Sequence, residues 1–266
     1  MGCKTQKFMN KDFNSPSHAM VLSEDGSYTA YSKEYEEHYH STKDGALHES
    51  LSKHVIPALE RKKHQKEIVI LDICFGLGFN TFATLYYCKQ YNLTSKLRIY
   101  TPELDANLIK SLPLFHYPKE FEPFRKIIES LATTGIYSDD RWHVEVFIGD
   151  AREYIKKFEV DTFDIIYQDA FSPKANPVLW TLEYFADIAK CIKPDGLLTT
   201  YSIALQIRLA LFQNDFNIFL ASGDKVRDFT IASKGDVEGV EVIDMKHKIS
   251  INPDVRALRD SVSSTE

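Results

Sequence analysis

The sequence predicts an α/β fold built on an open, mostly parallel sheet, and three observations carry that expectation. The run Ile68–Ile73 is continuously apolar and β-branched, as a strand buried on both faces must be. It is followed by a turn with Gly76 and Gly78 and then by helix-forming residues from about Asn80. Three further apolar strands, Leu97–Pro102, His143–Ile148 and Asp164–Asp169, recur at spacings that leave room for crossover connections, and each ends on or beside an acid.

Taken in order, residues 1–19 are polar and loose. Tyr28–Tyr39 reads as a short β-hairpin behind the turn Asp25-Gly26, and Ala46–Glu60 as a helix packed on the sheet. The sheet core runs from Ile68 to about Ser233. The stretch from Asp105 to Trp142 is longer than a crossover needs. It has helical periodicity over Phe121–Leu131 and is expected to cover the functional edge of the sheet. Gly149-Asp150 leads into a helix over Ala151–Phe158, and a turn at Ser172-Pro173 into a helix starting near Pro177. Lys193-Pro194-Asp195-Gly196 reads as a tight turn into the strand Leu197–Tyr201. A helix from about Ala204 to Phe212 precedes a closing hairpin, Phe216–Leu220 and Phe229–Ala232, with the last strand antiparallel. The expected division is 1–60 (hairpin and helix), 61–245 (sheet domain) and 246–266 (a polar tail with no clear core pattern).

Composition sets limits. The 266 residues, 44% of them apolar, suffice for one substantial core. Net charge is −6 and the pI about 5.9, an awkward balance for a nucleic-acid partner, although a local basic rim is compatible with it. The basic clusters Arg61–Lys66, Lys119 and Arg125-Lys126 read as solvated helix faces. Four cysteines, Cys3, Cys74, Cys88 and Cys191, have no metal-ligand spacing, and nine histidines form no H-E-x-x-H pair, so no metal is expected. With no signal peptide and no long apolar run, the expected protein is reduced, soluble, cytoplasmic and without a membrane partner. Gln6 stands where a myristoylation motif needs Ser or Thr. Nothing in the sequence sets the oligomeric state.

Function is read from the strand ends, where ligands sit in open parallel sheets. Gly76 and Gly78 allow close backbone approach, and the helix after them presents N–H groups; a lone G-x-G is weak evidence. Asp72, Glu103, Asp150 and Asp169 end four successive strands. Any one of them alone is as well explained by helix capping, Asp150 before Ala151 above all. Together they suit a ligand with ribose hydroxyls, an adenine and no pyrophosphate, and Thr81 stands where the dinucleotide fingerprint needs a third glycine. S-adenosylmethionine fits that description better than NAD. The cofactor residues expected are Asp72, Gly76, Gly78, Asn80, Glu103, Asp150 and Ala151, with Glu49, and less strongly Tyr39 and His40, closing over them.

The order of these motifs resembles a Rossmann-like class I S-adenosylmethionine-dependent methyltransferase. More narrowly, DAFSPKANPVLWT (169–181) and the stretch Ser23–His54 resemble the methyltransferase domain of the MnmC family, which makes 5-methylaminomethyl-2-thiouridine in tRNA. The resemblance spans about residues 20–233 and implies a stand-alone N-methyltransferase, since no flavin-binding G-x-G-x-x-G accompanies it. The family usually has glycine where this chain has Cys74. The implied acceptor is the 5-aminomethyl group of a wobble (2-thio)uridine. Asp169 would then be catalytic, orienting the amine with help from the carbonyls of the following turn. Phe171, Lys174 and Trp180 would bind substrate, although core packing is the stronger reading of Trp180 and solvation that of Lys174. Two alternatives remain: an aminopropyltransferase of the spermidine-synthase type, which lacks support from a second acid in the D-A-F-S-P loop, and a non-catalytic tRNA-binding protein that kept the fold.

Overall fold

The computed structural model describes Phe13 and residues 17–260; expectations for residues 1–12, Cys3 among them, lie outside the described residues. A small antiparallel sheet comes first, formed by β1 (His18–Leu22), β2 (Tyr28–Ser32) and β3 (Glu37–His38). The main sheet contains β4 (Glu67–Ile73), β5 (Lys96–Glu103), β6 (Ile136–Ser138), β7 (Trp142–Ile148), β8 (Phe163–Gln168), β9 (Ile192–Thr200), β10 (Asn217–Ala221), β11 (Phe229–Ser233) and β12 (Glu241–Val242). Its order is β12-β10-β11-β9-β8-β4-β5-β7-β6. The five strands from β9 to β7 are parallel, and β11 enters antiparallel between β9 and β10, as expected. The sequence order reverses between β4 and β8, and at such a switch point the carboxyl ends splay apart and leave a crevice.

Burial explains the strands. All six residues of β8 are buried, and β4 is buried at six of its seven positions to at least half depth. The helix Phe79–Gln90 is buried almost all round because the insertion after β5 covers its outer side. Phe121, Phe124, Ile127, Ile128 and Leu131 of the insertion are buried and join Phe79 and Phe82 in one aromatic-rich core, and the Tyr117 hydroxyl donates to Leu77 O. The insertion therefore supports the glycine turn from beneath; only its first residues, 104–107, reach the cavity described below. This corrects the expectation that it covers the functional edge.

Other elements differ from expectation for local reasons. The segment at Pro177 forms only a short 3-10 turn, Pro177–Leu179, and the helix begins at Leu182, where the Thr181 hydroxyl accepts from Tyr184 N. Residues 193–196 are not a turn before a strand: β9 starts at Ile192, and its register against β8 jumps from Phe163–Ile192 to Ile165–Leu197, so these residues bulge out of the strand. The segment read as a polar tail carries the helix Met245–Ser250 and then Val255, Ala257 and Leu258, which pack on the second core cluster. Arg152 clamps Asp260 with two hydrogen bonds of 2.7 and 2.6 Å. Three spaced apolar anchors give no periodic signal, which is why the sequence hid them. Among the described residues no helix is long and apolar enough to cross a membrane, and no His/Cys/Asp/Glu group could hold a metal ion.

The expected helix from Ala46 is present but not uniform. It runs as Ala46–Ser50, a π-helical turn Leu51–Val55 and Ile56–Lys62. Such widened turns displace side chains from the regular helical track. Here Lys53, His54 and Val55, three consecutive residues, are all buried.

Candidate active site

The carboxyl ends of β4, β5, β7 and β8 open into a cavity of about 1210 Å³. Its opposite wall is the small sheet and the residues that follow it, from Ser32 to Lys53, together with the β10–β11 loop at Lys225–Asp228. It is larger than the upper range of ordinary ligand pockets, about 1,000 Å³, so two reactants fit side by side.

One half is built on the glycine turn. Gly76 has φ +55°, and a Cβ there would stand 2.9 Å from the Tyr39 ring, so glycine lets Tyr39 lie against the turn. Glu103, at the end of β5, accepts from Gly76 N (2.8 Å) and Asp105 N (2.9 Å), which fixes both oxygens, and it lines the cavity. Burial pushes its carboxyl above the ordinary range, against those two backbone donors. Asp150 caps the helix Ala151–Ile155 through Arg152 N and Glu153 N, as the capping reading held, and both Asp150 and Ala151 still line the cavity. Cys74 occupies left-handed backbone, φ +65°, which is the conformation that favours the family's glycine. Its thiol is pushed well up by burial and by the surrounding carboxylates, so it is no thiolate nucleophile.

The other half centres on Asp169. Its Oδ2 accepts from Asn80 Nδ2 (2.9 Å), and its Oδ1 lies 3.5 Å from His54 Nε2. Burial favours the neutral acid, but the His54 imidazole, then His40 and the Asn80 amide outweigh it and hold Asp169 below the usual carboxylate range. Asp72 shows the opposite outcome. It is enclosed by Thr81 and Asn80, and burial lifts it to about 7, with the Asp169 charge adding to the lift. The two acids thus divide into one ionised group at the cavity and one that readily holds a proton behind it.

The loop after Asp169 is fixed from three sides. The Tyr201 hydroxyl donates to Ala170 O, Trp180 Nε1 donates to Phe171 O, and Glu37 of β3 accepts from the Ser172 amide and hydroxyl. Two of the turn's carbonyls, expected to help orient an acceptor, thus each already accept one hydrogen bond. Phe171 stacks on Tyr35 at 4.6 Å between centroids. On the N-terminal wall, Glu49 accepts from Ser41 N and from Lys53 Nζ (2.6 Å), and Tyr39 bonds His18.

Of the sequence-predicted residues, Glu49, Gly76, Glu103, Asp150, Ala151, Asp169 and Phe171 line the cavity, as do Tyr39 and His40. Asp72, Gly78, Asn80 and Trp180 stand behind its wall: Gly78 caps the helix, Asn80 braces Asp169, and Trp180 is fully buried core. Lys174 is exposed outside the cavity. The basic clusters have local partners or face solvent: Lys62 is buried against Asp195, Lys63 pairs with Glu60, and Arg125 with Glu129. Sequence reasoning missed His54, Lys53, Glu37, Tyr35 and the Lys225–Asp228 loop. Lys53 alone carried a usable signal, its i,i+4 spacing from Glu49 on a helix otherwise facing the core.

Comparisons with known proteins agree with this geometry. Residues 122–234 match the family described as S-adenosyl-L-methionine-dependent methyltransferase. The crystal structure of MnmC2 from Aquifex aeolicus superposes with a TM-score of 0.79 at 32% identity, covering 96% of this chain and 83% of that one. An uncharacterised protein of Methanocaldococcus jannaschii is 33% identical over 82% of this chain and 60% of its own length. A bifunctional tRNA 5-methylaminomethyl-2-thiouridine biosynthesis protein MnmC, from Azoarcus, is 29% identical over 77% of this chain. The chain spans 33% of that protein's length.

Proposed function

This chain belongs to the MnmC2 family of S-adenosyl-L-methionine-dependent methyltransferases, and from that premise we propose that it methylates the amine of 5-aminomethyl(-2-thio)uridine at the tRNA wobble position. The observation that carries the proposal is an ionised carboxylate, Asp169, held at the floor of a cavity large enough for two reactants. The glycine turn, Glu103, Asp150 and Ala151 suit the cofactor, since Glu103 keeps acceptor capacity for ribose hydroxyls and Gly76 lets the backbone approach. Bound there, S-adenosylmethionine supplies a methyl group already activated on a sulfonium.

The chain's own contribution is positioning and charge. Asp169 accepts an N–H of the incoming amine and so aims its lone pair. As the nitrogen–carbon bond forms and the carbon–sulfur bond breaks, positive charge passes to the nitrogen beside the Asp169 anion. The surplus N–H proton then leaves through that carboxylate to water. A strongly ionised carboxylate is a weak base, so orientation and charge stabilisation outweigh proton abstraction. Phe171 and Tyr35 offer a flat wall for the base, and Lys43, Lys225 and Arg227, exposed at the cavity mouth, suit the flanking phosphates. Such a partner would place the protein in the cytoplasm.

The aminopropyl alternative loses ground because Glu37, an acid facing the D-A-F-S-P loop from the small sheet, is engaged by Ser172. The deciding assay is transfer of labelled methyl from S-adenosylmethionine to tRNA carrying 5-aminomethyluridine. Asp169→Asn should lower turnover at least about tenfold with much less change in cofactor affinity. Transfer by the wild type to another acceptor but not to this tRNA would overturn the assignment, and full turnover by Asp169→Asn would remove Asp169 from the mechanism.

A further inference from the structure

His54 is 1% exposed and sits at the widened helical turn, edge-on to the Tyr167 ring at 5.7 Å. Its Nδ1 is 2.8 Å from the Thr199 hydroxyl of β9. Its Nε2 has no well-formed hydrogen bond among the described residues and lies 3.5 Å from Asp169 Oδ1. A nitrogen lone pair aimed at a carboxylate would be repelled, so the hydrogen belongs on Nε2. Nδ1 is then the acceptor, and the Thr199 hydroxyl, which can rotate, donates to it. The opposite oxygen of Asp169 is held by Asn80, so residues of two helices flank the carboxylate. A core histidine kept only for packing would have both nitrogens satisfied. A stretched contact that closes when substrate arrives is common at reaction centres before ligand binds.

We propose that His54 is a positioning residue: through an Nε2–H set by Thr199 it keeps Asp169 anionic and aimed at the acceptor. The proposal rests on the methyl-transfer reading of the same site. The groups facing Asp169 are His54 from the Ala46–Lys62 helix, His40 from the small-sheet side, Asn80 and Asp72 from below, Cys74 from the glycine turn and Tyr201 from the end of β9. Asp72 is a like charge whenever ionised, and burial also favours the neutral acid. His40 is itself pushed toward neutrality by burial, so removing His54 takes away the main support for the Asp169 anion.

Two measurements test this. The first is the pH profile of turnover at saturating tRNA for wild type, His54→Leu and His54→Gln. His54→Leu should move the acid limb upward by at least about one pH unit, lose at least about tenfold in turnover on the acid side and recover toward alkaline pH. KM for tRNA and cofactor affinity should stay within about twofold, and His54→Gln, whose amide still donates but carries no charge, should restore part of the profile. A uniform loss at every pH, or an unmoved limb, overturns the proposal. The second is nitrogen NMR of His54 in cofactor-free protein at alkaline pH, which should show the Nε2–H tautomer in wild type and a weakened preference in Thr199→Val. An Nδ1–H tautomer overturns the proposal. This readout needs neither acceptor nor a folded His54 variant. A wild type that methylates no tRNA while showing Nε2–H would therefore defeat the functional reading and leave the Asp169–His54 pair standing.

Discussion

Glu103 offers a sharp test of the cofactor half. Its two oxygens accept from Gly76 N and Asp105 N at 2.8 and 2.9 Å, so the side chain ties the end of β5 to the glycine turn. In Glu103→Gln one of these N–H groups meets an amide donor instead of an acceptor. Leaving a buried donor unsatisfied costs about 1–3 kcal/mol, and for a protein this size each kcal/mol lowers Tm by about 2–4 °C. Burial of the carboxylate is itself unfavourable, as its raised pKa records, so the lower end of that range is expected. The ribose hydroxyls would also lose an anionic acceptor, about 1.5–3 kcal/mol, which is roughly 10- to 100-fold in Kd. Calorimetry with S-adenosylmethionine should therefore show Kd raised about 10- to 100-fold in Glu103→Gln and at least as much in Glu103→Ala. Because Glu103 titrates above the ordinary range, wild-type affinity should also weaken as pH falls toward that raised value, and the variants should lack this dependence. An unchanged Kd in either folded variant refutes the assignment of Glu103 to the ribose.

Three further outcomes are expected. Cys74→Gly relieves left-handed backbone strain of about 1–2 kcal/mol against about 0.5–1 kcal/mol of added chain entropy, so Tm should hold or rise by a few degrees with activity kept; a folded, inactive variant would show that the thiol matters. Asp72, lifted to about 7 in the fold from an ordinary 3.8, binds its proton more tightly folded than unfolded; its contribution is full below pH 3.8 and is lost as pH rises through about 7. The Tm advantage of wild type over Asp72→Asn should shrink between those limits, and a constant difference across them would contradict the assignment. Lys225→Glu with Arg227→Glu should raise KM for tRNA and lower the slope of log affinity against log salt by about two, with cofactor Kd within about twofold; an unchanged salt slope would take the phosphates elsewhere.

Much of the glycine-turn half of the cavity was legible because it is local. A buried strand, a glycine turn and an acid at the next strand end lie within 36 residues, from Ile68 to Glu103, and each follows from a rule about backbone or burial. Asp169 was legible for the same reason. What could not be read is what holds it: His54 reaches Asp169 and Thr199 across 115 and 145 positions, and Glu37 reaches Ser172 across 135. Such pairs leave no periodicity. Asp72 and Asn80 sit in the motif expected to meet the ligand, and the folded chain sets Asp72 against Thr81 and Asn80, with Asn80 reaching Asp169. The C-terminal anchors Val255, Ala257 and Leu258 escaped notice because extended chain lying on a finished core needs only occasional apolar contacts.

The clamp of Glu37 on Ser172 has a consequence for how such proteins diversify. The strand-end acids are carried by the main sheet, and the family match at 122–234 covers its later strands, β8 among them. The wall facing it is contributed by a separate stretch of chain, whose Glu37, Tyr39 and His54 reach the Asp169 strand end and the loop after it. A lineage that rewrote residues 18–55 while keeping those contacts would retain the methyl donor and change the acceptor. The first fifty-odd residues are thus where relatives with new substrates should be sought.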